Sequence, residues 1–160
     1  MSVARPAAAP GRQVRWDLWF AARLGPLRKK TVTVDGVKVT VKVRLKELPP
    51  GPNGSRGNPF GHAAWVKEWR RAGANAAIAH RMPDLGRVRI SAVFYRRAIG
   101  QADEDNDRTR CKPLVDGLRD AGVLKNDTRG FVVYGPCTEA RAGSEGPGIL
   151  LTIESLEASE

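Results

Sequence analysis

Apolar and polar residues alternate with a period of two through Thr31–Leu48. Val37, Val39, Val41, Val43 and Leu45 fall on one side, and Lys38, Thr40, Lys42, Arg44 and Lys46 on the other. With Asp35-Gly36 between TVTV and VKVTVKV, this predicts two strands joined by a two-residue type I′ turn. The apolar set is expected to bury against a helix layer. The cationic set is then either a solvated face or part of a DNA-facing wall. A second period-two run, Arg87–Tyr95, puts Val88, Ile90, Ala92 and Phe94 on one face. FVVY (131–134) and 148–156 predict two further strands. These are expected to pair as a hairpin across the polar, Gly-rich stretch from Pro136 to Pro147.

Helical spacing takes over in His62–Arg81. Val66, Trp69, Gly73, Ala76 and His80 form one stripe, widened by Trp65 and Ala72, with Lys67, Glu68, Arg70 and Arg71 opposite. Gly73 costs about 1 kcal/mol of helix propensity and is expected to allow close packing. Leu114, Leu118 and Ala121 share a face of a second helix over 109–121. Pro113 suits its first turn and Gly122 stops it. In 14–24 the spacing of Trp16, Trp19, Phe20 and Ala22 predicts a short helix docked on the body. Trp16 and Trp19 are read as packing groups or, alternatively, as platforms for base stacking.

These elements predict a single α+β domain over 14–156. Its mixed or antiparallel sheet of about four to five strands (the hairpin, 87–95, 130–134 and 148–154) packs with two main helices, 62–81 and 109–121. Within it, 14–30 is an N-terminal extension, 31–48 the basic hairpin and 103–127 an acidic segment. Residues 1–13, rich in Ala, Pro, Gly and Arg, are expected to be disordered. The acidic end after Glu154, through 157–160, is expected to fray. The Pro/Gly-rich loop 49–61 carries Asn53, Ser55, Arg56 and Asn58, which suit phosphate or sugar contacts; a plain connector is the other reading.

Charge narrows the picture. The 160 residues hold 27 Lys and Arg against 17 Asp and Glu, a net charge of +10. That balance fits a polyanion, whether DNA, RNA or an anionic membrane. No apolar run approaches the ~18 residues of a spanning helix, and MSVARPAAAPGRQ lacks the apolar core of a signal peptide. Cys111 and Cys137 form no metal-binding spacing, so a reducing cytoplasm is expected, with both thiols structural or incidental.

Against this basic background the stretch 103–127, DEDNDRTRCKPLVDGLRDAGVLKND, gathers six aspartates: 103, 105, 107, 116, 120 and 127. Clustered carboxylates in a basic chain suggest hard-metal ligands within a nucleic-acid surface. Asp103 and Asp105 are expected just before the helix and Asp127 after it, with Asn106 capping the turn or the helix start. Lys112 and Asp116 stand one helical turn apart and are expected to pair, direct metal ligation by Asp116 being the alternative. Glu104, Asp107 and Asp120 are expected to be solvated.

The stretch resembles the RusA-type Holliday junction resolvases, crossover-junction endodeoxyribonucleases common in phages and prophages. The matching residues are Asp103-Glu104-Asp105-Asn106, Lys112, Asp116-Gly117-Leu118, Ala121-Gly122 and Asp127. The similarity is strongest over 87–154, weaker over 39–81 and absent before that. Six residues separate Asp105 from Lys112, where the usual form of the pattern has three, so Arg108 or Arg110 is an alternative to Lys112. The resemblance implies catalytic residues Asp103, Asp105, Asp127 and Lys112, with the three aspartates holding Mg²⁺ or, in its place, Mn²⁺. It further implies a homodimer cutting four-way DNA junctions by paired nicks, in the cytoplasm of a bacterium or phage-infected cell. Lys67, Arg70, Arg71, Arg96, Arg97, Arg108 and Arg110 join 53–58 as candidate DNA contacts. A non-catalytic DNA- or RNA-binding module and a flap or single-strand nuclease are the competing readings.

Overall fold

A computed structural model describes residues 3–4, 14–51, 59–100, 102–124 and 132–156, the side chains of 3–4 and 59–61 excepted. In chain order the elements are β1 (Val3–Ala4), β2 (Arg15–Ala21), β3 (Arg23–Leu24), β4 (Arg28–Val34), β5 (Val37–Val43), β6 (Lys46–Glu47), α1 (Pro59–Ala79), β7 (Val88–Arg96), α2 (Glu104–Arg110), α3 (Lys112–Asp120), β8 (Val132–Arg141) and β9 (Gly148–Ser155). The fold is α+β. One mixed sheet has the order β1-β2-β9-β7-β8, and two small pairs, β3–β6 and β4–β5, stand apart from it.

The core follows from alternation in three central strands. Trp16, Leu18 and Phe20 of β2, Val88, Ile90, Ala92 and Phe94 of β7, and Ile149, Leu151 and Ile153 of β9 are all buried. They meet Trp65, Trp69, Ala72 and Ala77 of α1 and Leu114, Val115 and Leu118 of α3 in one cluster. Two glycines let the helices touch. A Cβ on Gly73 would strike the Leu114 carbonyl, and one on Gly117 would strike the Arg70 carbonyl and come within 2.7 Å of Ala74 N. The close packing expected at Gly73 is therefore present, and Gly117 reciprocates it.

Four sequence expectations give way here. First, 14–24 is not a helix: β2 pairs along its whole length with β9, from Arg15↔Glu154 to Ala21↔Gly148. The helix-like spacing arose because an inner strand carries large groups on both faces, Trp16 and Phe20 inward and Trp19 outward. Second, the last two strands do not pair with each other. β9 lies between β2 and β7, antiparallel to both, and β8 runs parallel to β7 on the far edge. Parallel neighbours need a long crossover, and α2–α3 supplies it. β8 also continues to Arg141, through half of the expected connection, since an edge strand tolerates Pro136 where the register shifts opposite Ile90 and Ala92. Third, the hairpin forms with the expected turn, Asp35 and Gly36 both having positive φ (52° and 77°), but it does not join the sheet. Nor does its apolar face bury: Val34, Val37 and Leu45 are more than half exposed. Fourth, the second helix begins earlier and is broken at Cys111, as Pro113 has no N–H to continue the ladder.

The ends are firmer than expected where they are described. Val3–Ala4 pairs with β2, while the rest of 1–13 lies outside the described residues. Ser155 is buried and its N–H donates to the Val14 carbonyl at 2.8 Å, so order runs past Glu154; 157–160 lie outside the described residues. Among the described residues no helix is long and apolar enough to cross a membrane.

Candidate active site

The acidic segment begins where β7 ends. Asp103 is the N-cap of α2, with an extended backbone (φ −105°, ψ 153°). Its Oδ1 accepts from Asn106 N at 2.9 Å and its Oδ2 from Asn106 Nδ2 at 3.0 Å. Asp103, rather than Asn106, therefore caps the helix, satisfying one of the first-turn N–H groups. Asp105 lies inside the first turn instead of before it, and its side chain is 93% exposed. Both carboxylates stand at the positive end of a helix dipole.

Behind them Asp107 is buried, against the expectation of a solvated acid. Arg96 donates from Nη1 to Asp107 Oδ2 at 2.8 Å and from Nη2 to Oδ1, and also from Nη1 to Glu139 Oε2 at 3.1 Å. Glu139 Oε1 accepts from the Gly100 N–H. Burial alone would lower the Arg96 pKa, but the hydrogen bonds and charges of Asp107 and Glu139 outweigh it and raise it. The carboxylates of Asp107 and Glu139 thus clamp the end of β7, the start of α2 and β8 through one guanidinium. Sequence spacing gave no sign of this group, because its three members come from three elements.

One exposed stripe of α2–α3 then alternates acid and base. Arg108 donates to Asp105 at 3.2 Å and to Glu104 at 2.6 Å. Lys112 Nζ donates to Asp116 Oδ1 at 2.8 Å, and Arg119 lies 3.7 Å from the same atom. The Lys112–Asp116 pair is the one expected. Arg108 is the cation bonded to Asp105. Arg110 is half-buried and donates from Nη1 to the Pro49 carbonyl at 2.6 Å. Desolvation, then the charge of Arg96, lowers its pKa.

The remaining candidates divide. Arg96 is committed to its clamp, with only 17% of the side chain exposed, and is not a free DNA contact. Arg70 donates from Nη2 to Asp120 Oδ1 at 2.7 Å, tying α1 to α3. Asp120 and Glu104 are thus ion-paired as well as exposed. Lys67 and Arg71 are exposed or half-exposed on α1 and line a groove of about 320 Å³ with Arg23 and Asn75. Arg97 is exposed. Asn53, Ser55, Arg56, Asn58 and Asp127 lie outside the described residues. Of the two tryptophans, Trp16 is core, while Trp19 lies on the sheet face away from the helices, its ring 5.5 Å from that of Tyr95. Cys111 and Cys137 are both buried and adjacent. The Cys111 thiol donates to Cys137; that bond and burial push Cys111 well up, while the same bond pulls Cys137 down against the opposing effect of burial.

A Mg²⁺ ion takes hard oxygen donors and keeps several waters. Asp103 and Asp105 have that chemistry, but among the described residues no group of three Asp, Glu, His or Cys side chains is placed to hold a metal. No protein-family model matches the sequence, and no curated protein does.

Proposed function

We propose that this chain is a Mg²⁺-dependent, structure-selective endonuclease that acts on branched DNA, with the four-way junction as its substrate and a homodimer as its working form. The observation that carries the reading is the pair Asp103 and Asp105. They are exposed at the start of the helix that leaves the C-terminal end of a strand in a parallel β-α-β unit, on a chain of net charge +10. That end of such a unit is where open sheets present ligand sites. Carboxylates there would repel phosphate on their own; they become useful when they anchor a cation. Bound there with Asp103, Asp105 and Asp127, the ion would polarise phosphate and activate water. Arg108 and Lys112 supply positive charge along the same stripe, and the Arg96 clamp holds the start of α2 against the sheet. The reading puts the protein on chromosomal or phage DNA in a bacterial cytoplasm.

A non-catalytic DNA-binding module is the second reading. It is favoured by the full use of Asp103 as a helix cap and by the missing third donor among the described residues. Cleavage of a labelled synthetic four-way junction in Mg²⁺ separates the two. The nuclease reading expects symmetric nicks from the wild type, and none from Asp103→Asn or Asp127→Asn proteins that still bind. Binding without nicks by the wild type, in Mg²⁺ and Mn²⁺ alike, would leave the binding module.

A further inference from the structure

The ribbon β4–β5 has two unlike faces, and Val34, Val37 and Val39 are exposed on one of them while Val32 is half-buried. Directly opposed residues share a face in an antiparallel pair. Val34↔Val37, Val32↔Val39, Lys30↔Val41 and Arg28↔Val43 therefore make one face, and Lys29↔Lys42, Thr31↔Thr40 and Thr33↔Lys38 the other. All six residues of the second face are exposed. Its lysines form no ion pair among the described residues, although Lys29 and Lys42 stand directly opposite each other, an arrangement that costs stability unless an anion intervenes. Between Arg28 and Glu47, seven Lys and Arg side chains stand against two carboxylates, a net of five of the chain's ten positive charges. One of those carboxylates, Glu47, is held by Arg28 at 2.6 Å at the base of the ribbon, leaving Asp35 alone at the tip.

A two-stranded ribbon that stands apart from the main sheet needs a reason to keep its shape. Here Val and Thr dominate both strands, and the base is fixed by the β3–β6 pair and by the Gly25 N–H, which donates to the Leu45 carbonyl at 2.8 Å. The ribbon is about 24 Å long, with strands about 4.8 Å apart. The major groove of B-form DNA is about 12 Å wide and admits such a ribbon. The major groove of A-form RNA is too narrow for it.

We propose that the β4–β5 ribbon seats in the major groove of duplex DNA, its Lys29, Thr31, Thr33, Lys38, Thr40 and Lys42 face toward the base edges and flanking phosphates. Lysines reach the phosphates on either side, threonine hydroxyls exchange hydrogen bonds with the groove, and the valine face, whose cations Lys30 and Arg28 stand only toward its base, points away. The inference goes beyond the nuclease reading, since it needs a duplex and no cleavage.

The test is anisotropy of a labelled DNA duplex titrated with the full chain in EDTA over a series of salt concentrations. Replacing Lys29, Lys38 and Lys42 together by Ala should weaken binding at least tenfold at low salt. It should also reduce the slope of log affinity against log salt by about two to three, near 0.9 for each lost phosphate contact. The triple Lys→Arg protein should bind like the wild type. An RNA duplex of the same sequence should bind more weakly and ignore the triple Ala change. In the unaltered protein, bound DNA should protect these three lysines from acetylation, a readout that does not depend on any variant folding. Wild type that fails to bind duplex, a triple Ala protein with unchanged slope, or no protection overturns the proposal. So does an effect confined to phosphatidylserine vesicles, or an equal effect on RNA. Because the assay excludes metal, a protein that passes here yet never cleaves a junction loses only the nuclease reading.

Discussion

Asp107 and Arg96 show how much one pair can decide at the residue scale. Asp107 is 3% exposed, and both its oxygens are held by Arg96. A buried pair adds little net stability over an apolar pair, but breaking it leaves one charge buried without a partner. Arg96→Met, which strands buried Asp107 beside Glu139, should therefore cost about 3–5 kcal/mol. Asp107→Asn should cost less, since Glu139 still accepts from Arg96 at 3.1 Å. The double change Arg96→Met with Asp107→Leu should recover a good part of either loss. Urea unfolding of the three variants checks this; additive losses in the double variant would mean that the pair is not coupled. The same variants report on Asp103 and Asp105, which stand on the turn that the clamp fixes.

At the scale of elements, α1 and α3 meet through Gly73 and Gly117, and two effects compete at Gly117. Alanine would gain up to about 1 kcal/mol of helix propensity. Its Cβ would, however, meet the backbone of α1 at Arg70 and Ala74, and overpacking against backbone costs about 1–3 kcal/mol or more. Overpacking wins, so Gly117→Ala should lower the melting temperature, whereas at exposed Gly143, where nothing lies near, the change should be close to neutral. Arg70 and Asp120 tie the same helices from outside. The Arg70 hydrogen bond holds the Asp120 carboxyl below its ordinary value. A lowered folded pKa gives stability that is present above the unfolded value, about 3.9, and lost as pH falls through the folded one. Asp120→Asn should thus flatten the acid limb of stability below about pH 4. The effect should be small, as the side chain is 41% exposed and solvent screens it. The helices, the β7 core face and the hairpin turn were legible in sequence because each is a local period or a local turn. Strand order, the β2 strand and the separate ribbon were not, because pairing partners and burial are set by contacts distant in the chain. The site divides the same way: the Lys112–Asp116 pair follows from helical spacing, whereas the Arg96–Asp107–Glu139 clamp exists only once β7, α2 and β8 are side by side.

At the scale of the whole molecule, the described part of the acidic segment, 103–124, runs from the C-terminal end of β7 back toward its start. Asp103 stands past the C-terminal end of β7, next to the Arg96 clamp. Leu124 and Val132, which flank the segment holding Asp127, stand at the opposite end. The Val123 carbonyl accepts from Leu85 N at 2.9 Å, and Val132 pairs with Val88. In the proposed homodimeric nuclease, the three aspartates around one ion come either from one copy or from two copies related by a two-fold axis. Mixing variants tests this without any further structure. Asp103→Asn and Asp127→Asn proteins should each be inactive alone. Unfolded together and refolded, half of the dimers should be mixed, and where the acids of one site come from two copies each mixed dimer holds one intact site and one doubly altered one. The mixture should then nick junctions at about a quarter of the wild-type rate, one strand at a time rather than in pairs. If each site is built within one copy, the same mixture stays as inactive as its parents.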